Sequence, residues 1–178
     1  MIKLPTISAE NVSAFHKDVF KSIKELLVKN SENPLFERII CYCSIDGQLN
    51  DSRIERLIIG DIMVLTDAIS QIGATDKAVA DKFDKAYTNF CNRNFGRTWA
   101  QRIGVTTCPY CNRSYIFTSS KSGTRPQYDH YFPKSKYPYL ALSMYNLIPC
   151  CSICNGLKRD VDTCQTPIVY PYKDSYGR

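Results

Sequence analysis

The chain has 178 residues, 44% hydrophobic and 22% charged, with a formal net charge of +6 at pH 7. That composition belongs to a folded protein with a buried core; no apolar run reaches the roughly 20 residues of a membrane span, and polar Ser8, Glu10 and Asn11 leave no room for an export signal, so the expected compartment is the cytoplasm. The charge is uneven: residues 1–95 carry 12 Lys+Arg against 13 Asp+Glu, residues 96–178 carry 11 against 4, and a basic C-terminal half favours a polyanion such as nucleic acid over an acidic small molecule.

In chain order, Val12, Phe15, Val19, Ile23 and Leu26 recur at three- and four-residue steps and predict an amphipathic helix over residues 9–29. Asn33-Pro34 stops and restarts the chain. A short helix is expected over Leu35–Ser44, closed by Asp46-Gly47. Ile54, Leu57, Ile58, Ile62, Leu65, Ile69 and Ile72 mark one long helix ended by Gly73. Thr75-Asp76 caps the next, with Val79, Phe83, Ala86, Tyr87 and Phe90 on its buried side. A last helical turn holds Trp99 and Ile103 before Gly104. Beyond it, helical periodicity fades and prolines, tyrosines and cysteines crowd together. Tyr115–Thr118 reads as a strand and Ser119–Thr124 as a turn. A boundary near residue 100 thus separates a helical region, 1–100, from a smaller irregular module, 101–178, and no internal repeat is visible.

The chain holds nine cysteines. Cys108-Pro109-Tyr110-Cys111 and Cys151-Ser152-Ile153-Cys154 are two C-x-x-C pairs. Two such pairs supply four thiolates for tetrahedral Zn²⁺, a closed structural site with no open position for chemistry. A zinc ion there would staple a segment too poor in apolar residues to fold alone. Cys150 could replace Cys151, and Cys164 is a weaker candidate. C-P-Y-C is also a thiol-redox tetrapeptide, but that use leaves Cys151 and Cys154 without a role.

The chain has two histidines. His16 falls beside the apolar stripe of the first helix. His130 follows Asp129 in the basic half, between the cysteine pairs. Phosphodiester hydrolysis needs a base for the attacking water and positive charge on the transition state and leaving oxygen. A neutral imidazole suits the first task. A divalent ion on hard oxygens, Asp129 carboxylate and Asn155 carbonyl, suits the others. In a strand Asp129 and His130 point to opposite sides, and Pro133 signals that the strand ends nearby.

Asp129-His130, Asn146 and Asn155 together resemble the signature of HNH, or ββα-metal, nucleases in its H-N-N form. The strings D-H-Y-F-P-K-S-K-Y-P, L-A-L-S-M-Y-N-L-I-P and C-N-G-L-K resemble the HNH nucleases of bacterial anti-phage systems of the Septu type, encoded beside an ATPase, over about residues 105–173. The resemblance implies an α+β chain: a helical region followed by a zinc-stapled ββα-metal module. It implies Mg²⁺ or Mn²⁺ on Asp129 and Asn155, with His130 as general base. Asn146 would hold the His130 loop, and Lys158, one turn beyond Asn155, would contact phosphate. It further implies DNA ahead of RNA as substrate, and an ATPase partner for which the helical region is a docking surface. With no third histidine, the metal site is lean and should depend on the substrate phosphate as a further ligand.

Lys134, Lys136, Arg113, Lys121 and Arg125, with Tyr128, Tyr131, Tyr137 and Tyr139, would form a basic, aromatic surface for a phosphate backbone. The competing function is a zinc-ribbon module that binds nucleic acid without cutting it.

Overall fold

The computed structural model describes residues 2–92, 94–119 and 124–174. The chain is α+β. Helix α1 (Ala9–Lys29) begins where the Ser8 side chain accepts from the Asn11 amide, and it buries Phe15, Val19, Ile23 and Leu27 along one stripe. Fully burying side chains of this size is worth about 1.5–3 kcal/mol each, which fixes the helix to the core. After a 3-10 turn at Pro34–Phe36 comes α2 (Glu37–Tyr42). The expected helix over Leu35–Ser44 stops short of Ser44 because Asp46-Gly47, both at positive φ (51° and 77°), form the tip of a hairpin. Its strands are β1 (Ser44–Ile45) and β2 (Gln48–Leu49).

The long helix expected through Ile72 is two helices, α3 (Asp51–Ile59) and α4 (Ile62–Ile72). Apolar spacing carries through the break, but Gly60 adopts an extended conformation (ψ 145°) and the Asp61 carboxylate caps the Met63 and Val64 amides. Helix α5 (Lys77–Asn92) buries Val79, Phe83, Ala86 and Phe90, and α6 (Phe95–Ile103) ends at Gly104 with φ 69°. Trp99 and Phe15, both nearly inaccessible, pack with ring centroids 4.7 Å apart at the centre of this helical layer.

The expected strand over Tyr115–Thr118 is absent. Ile116 is buried, whereas Tyr115 and Phe117 are 81% and 54% exposed, and the segment contributes one isolated bridge, Thr107 to Tyr115. The strands are instead β3 (Gln127–His130) and β4 (Leu147–Cys150), antiparallel, with Asp129 opposite Ile148 and His130 opposite Leu147. Helix α7 (Ser152–Lys158) follows directly and packs on β3. Of the expected Ser119–Thr124 turn, residues 120–123 lie outside the described residues.

The apolar core runs without a break from the helices into Tyr128, Leu140, Met144, Leu147 and Ile148. Tyr128, Tyr131, Tyr137 and Tyr139, expected on a phosphate-facing surface, are all at most 7% exposed. Their hydroxyls donate to Gly96 O, Ile168 O, the Asp162 carboxylate and Gly73 O. A tyrosine that finds a carbonyl is as useful in a core as a phenylalanine, and that is the role these four take. Among the described residues no helix is long and apolar enough to cross a membrane.

A Cβ at Gly60 would stand 2.3 Å from Arg56 O and 2.6 Å from Val64 Cγ1. Gly60→Ala must therefore push α3 and α4 apart, and a loss of about 1–3 kcal/mol is expected in urea unfolding.

Candidate functional site

The sulfur atoms of Cys108, Cys111, Cys151 and Cys154 all lie within 4.8 Å of one another. A tetrahedron with Zn–S near 2.3 Å has S···S edges of about 3.8 Å, within reach of this spacing, and the cluster could hold zinc. Cys151 rather than Cys150 belongs to it. Cys150 sits in β4 opposite Gln127, whereas Cys151 is the N-cap of α7 and its sulfur accepts from the Cys154 amide at 3.4 Å. Cys164 is exposed and lies outside the cluster. Burial opposes thiolate formation at Cys111, yet the Ser114 and Arg113 amides prevail and bring its pKa down to about 6. Thiolate-stabilising amides in a knuckle suit a metal ligand. Around the sulfurs the apolar packing is thin, essentially Ile116 with Val105 and Tyr110.

Tyr110, the third residue of the knuckle, donates its hydroxyl to Asp129 Oδ2 at 2.6 Å. The other carboxylate oxygen of Asp129 accepts from Lys158 Nζ at 2.9 Å, and the same ammonium donates to His130 O at 2.7 Å. Asp129 is 2% exposed and the Lys158 side chain 7%. Burial raises the Asp129 carboxyl above its ordinary range, and the Lys158 charge and the two hydrogen bonds counter that pull.

His130 is held from two sides. Its Nε2 lies 3.0 Å from Ala141 O. A carbonyl only accepts, so Nε2 carries the proton and Nδ1 keeps its lone pair. The Tyr87 ring of α5 meets the imidazole edge-on at 4.7 Å. Burial, ahead of the Lys134 and Lys158 charges, lowers the His130 pKa from 6.5 to about 3, so the ring is neutral near pH 7. Asn146, fully buried, accepts from Phe132 N at 2.7 Å and donates to Phe132 O and Leu140 O at 3.1 and 2.9 Å. One amide thus ties together both flanks of the loop that carries the Ala141 carbonyl.

Asp129, His130 and Asn155 line one cleft of about 390 Å³, with Tyr87, Arg125, Lys134 and Arg159 among its other walls. Asn155 Nδ2 donates to Gln127 Oε1 at 2.9 Å, which leaves the amide carbonyl as its hard-oxygen donor. The buried carboxylate and this carbonyl are a donor set that a divalent ion could use, lean in charge and completed by outside oxygens. Of the three lysines expected at substrate, Lys134 lines the cleft, while Lys136 and Lys158 do not. Lys134 pairs with Asp84 of α5, and Lys136 with Asp162 at 3.1 Å. Arg113 is exposed beside the knuckle, and Lys121 lies outside the described residues.

Sequence reasoning missed Tyr87, Tyr110 and Arg159. Tyr87 looked like an ordinary residue of a helix's buried face, and Tyr110 an ordinary residue within a C-x-x-C. Arg159 adjoins the C-N-G-L-K string and offered a signal, a basic residue closing the helix that carries Asn155.

No family model matches the chain. No solved structure matches it. Over 47 residues the chain is 40% identical to the Septu protein PtuB of Bacillus thuringiensis; the shared stretch is 26% of this chain and 18% of that protein, so less than a fifth of that relative's length is matched.

Two expectations follow from the geometry. Cys111→Ser should abolish stoichiometric zinc binding and cost more than about 4 kcal/mol of stability in the zinc-loaded protein, because little else holds the knuckle; zinc analysis and a melt check it. Tyr110→Phe should keep zinc content unchanged and lower stability by about 1.5–3 kcal/mol, the worth of a hydrogen bond to a charged group; urea unfolding measures it.

Proposed function

We propose that this chain is a metal-dependent endonuclease of the HNH kind that hydrolyses phosphodiester bonds of DNA, acting inside the cell in defence against phage. The observation that carries this reading is the imidazole of His130, fixed through Nε2 on Ala141 O with Nδ1 unprotonated, in one cleft with Asp129 and Asn155 on a β3-β4-α7 unit. The local likeness to a Septu protein supports it, as does the four-thiolate cluster that braces the same unit.

In this mechanism Nδ1 of His130 takes a proton from water as the water oxygen bonds to phosphorus and the P–O bond to the leaving sugar oxygen breaks. The low pKa keeps the base neutral before substrate arrives. A phosphodiester anion in the cleft favours the protonated form and so strengthens the base at the step that uses it. Asp129 and Asn155 would hold Mg²⁺ or Mn²⁺, which when bound supplies Lewis-acid stabilisation of the phosphorane-like charge. Arg125, Arg159 and Lys134 place positive charge around the cleft for the phosphate backbone. Asn146 keeps the loop rigid, so that the carbonyl orienting His130 stays in place. The helical region, residues 1–100, would be the docking surface for a separately encoded ATPase that the resemblance implies.

The deciding experiment is plasmid cleavage with Mg²⁺ or Mn²⁺, with and without chelator. His130→Ala should lower the cleavage rate by at least about 100-fold, the usual contribution of a general base, while zinc content stays unchanged and the melt, lowered by the loss of a buried hydrogen-bonded ring, stays cooperative. Undiminished cleavage by that variant puts the base elsewhere. Binding of DNA by the wild type without any cleavage favours the non-catalytic zinc-ribbon module.

A further inference from the structure

Asp129 is asked to bind a divalent ion, yet an ammonium already sits on it. Lys158 Nζ lies 2.9 Å from Asp129 Oδ1 and 2.7 Å from His130 O, with both side chains almost wholly buried. A dication and an ammonium on one carboxylate repel strongly wherever water is scarce. One of them must leave.

The surroundings indicate which. Lys158 is the last residue of α7, a helix whose other residues are exposed or half-buried, and the chain turns sharply after it at Arg159 (φ 49°). Its stem is long and unbranched, so the ammonium can swing out without disturbing the core. The Tyr110 hydroxyl on the other oxygen is anchored in the cysteine knuckle and stays.

We propose that Lys158 is a displaceable internal counterion: it neutralises Asp129 in the metal-free protein, yields the carboxylate to the divalent ion, and swings toward the cleft, where it pairs with the substrate phosphate. This rests on Asp129 being the ligand of the divalent ion. It gives Lys158 a positioning role in both states and couples the two ligands. A phosphodiester that captures the released ammonium strengthens metal binding, and by reciprocity the metal strengthens phosphate binding. Without nucleic acid the site binds its metal weakly.

Mn²⁺ titration of the zinc-loaded full chain, read by the EPR signal of free Mn²⁺, tests this. Lys158→Met should bind Mn²⁺ at least about tenfold more tightly than wild type, given the charge removed at contact distance, and Lys158→Arg should bind like wild type. A folded Lys158→Met protein with equal or weaker affinity overturns the proposal. That variant leaves a buried carboxylate unpaired and can fail to fold, so a second measurement uses the wild type. In uniformly ¹³C,¹⁵N-labelled protein the Lys158 ammonium should give a slowly exchanging signal that is lost when Mg²⁺ saturates the site. Its persistence while Mg²⁺ shifts the Asp129 and Asn155 resonances overturns the proposal equally. Asp129→Asn separates the two levels. If it binds Mn²⁺ as wild type does, or if no variant binds Mn²⁺ at all, the assignment of Asp129 as metal ligand fails and the counterion role falls with it. If binding is lost in Asp129→Asn alone, that assignment stands and the Lys158 measurements decide.

Discussion

A carboxylate nearly sealed from water cannot stand alone, and Asp129 is such a group. Its two oxygens draw three separate pieces of chain to one point: β3, which carries it, the cysteine knuckle through Tyr110, and the end of α7 through Lys158. Each piece is short and has little apolar surface of its own. What fixes them relative to one another is the need to satisfy this charge together with the four sulfurs that the same knuckle and helix carry. The imidazole next in sequence inherits that rigidity, since Lys158 also grips its carbonyl oxygen. Geometry suited to chemistry is here a by-product of neutralising one buried anion.

The helical half takes part in the site. Helix α5 supplies the Tyr87 ring, which lines the cleft against His130 although it stands more than forty positions earlier in the chain, and Asp84, which holds the cleft's Lys134. Neither residue lies in the stretch that carries the signature strings. The packing that places α5 is the aromatic centre around Phe15, Phe90 and Trp99. The rigidity of the imidazole therefore reaches back to the first helix.

Much of this was legible in the sequence where the signal is local. Helix α1 matches its expected bounds, because an unbroken apolar stripe and a serine cap leave little choice. The cysteine pairs, Asp129, His130 and Asn155 come together in one unit because short spacings constrain short segments. Other features hid for physical reasons. Gly60-Asp61 breaks a helix whose apolar rhythm never falters, since the stripe reports burial and not backbone continuity. β4 contains Pro149, which disguises a strand, while Tyr115–Thr118 has strand-like residues but buries only Ile116. Tyrosine is ambiguous by nature, and the four near the motif went to the core. The C-x-x-C spacing points to Cys151 with Cys150 as the alternative, and the sulfur in the cluster is that of Cys151, which begins α7.

The phenol and alcohol oxygens that cross between the helices and the C-terminal half have a bearing on how the chain can be divided. Tyr128 reaches Gly96 O, Tyr139 reaches Gly73 O and Ser143 reaches Leu57 O, each from a buried position. Severing the polypeptide near residue 100 and discarding the helices would remove the carbonyls these three hydroxyls use and expose the faces of Leu140 and Met144, with the tyrosine rings beside them, to water. A smaller C-terminal fragment is therefore not to be had by trimming; the helices would have to be replaced by another apolar surface that presents carbonyls at the same three points.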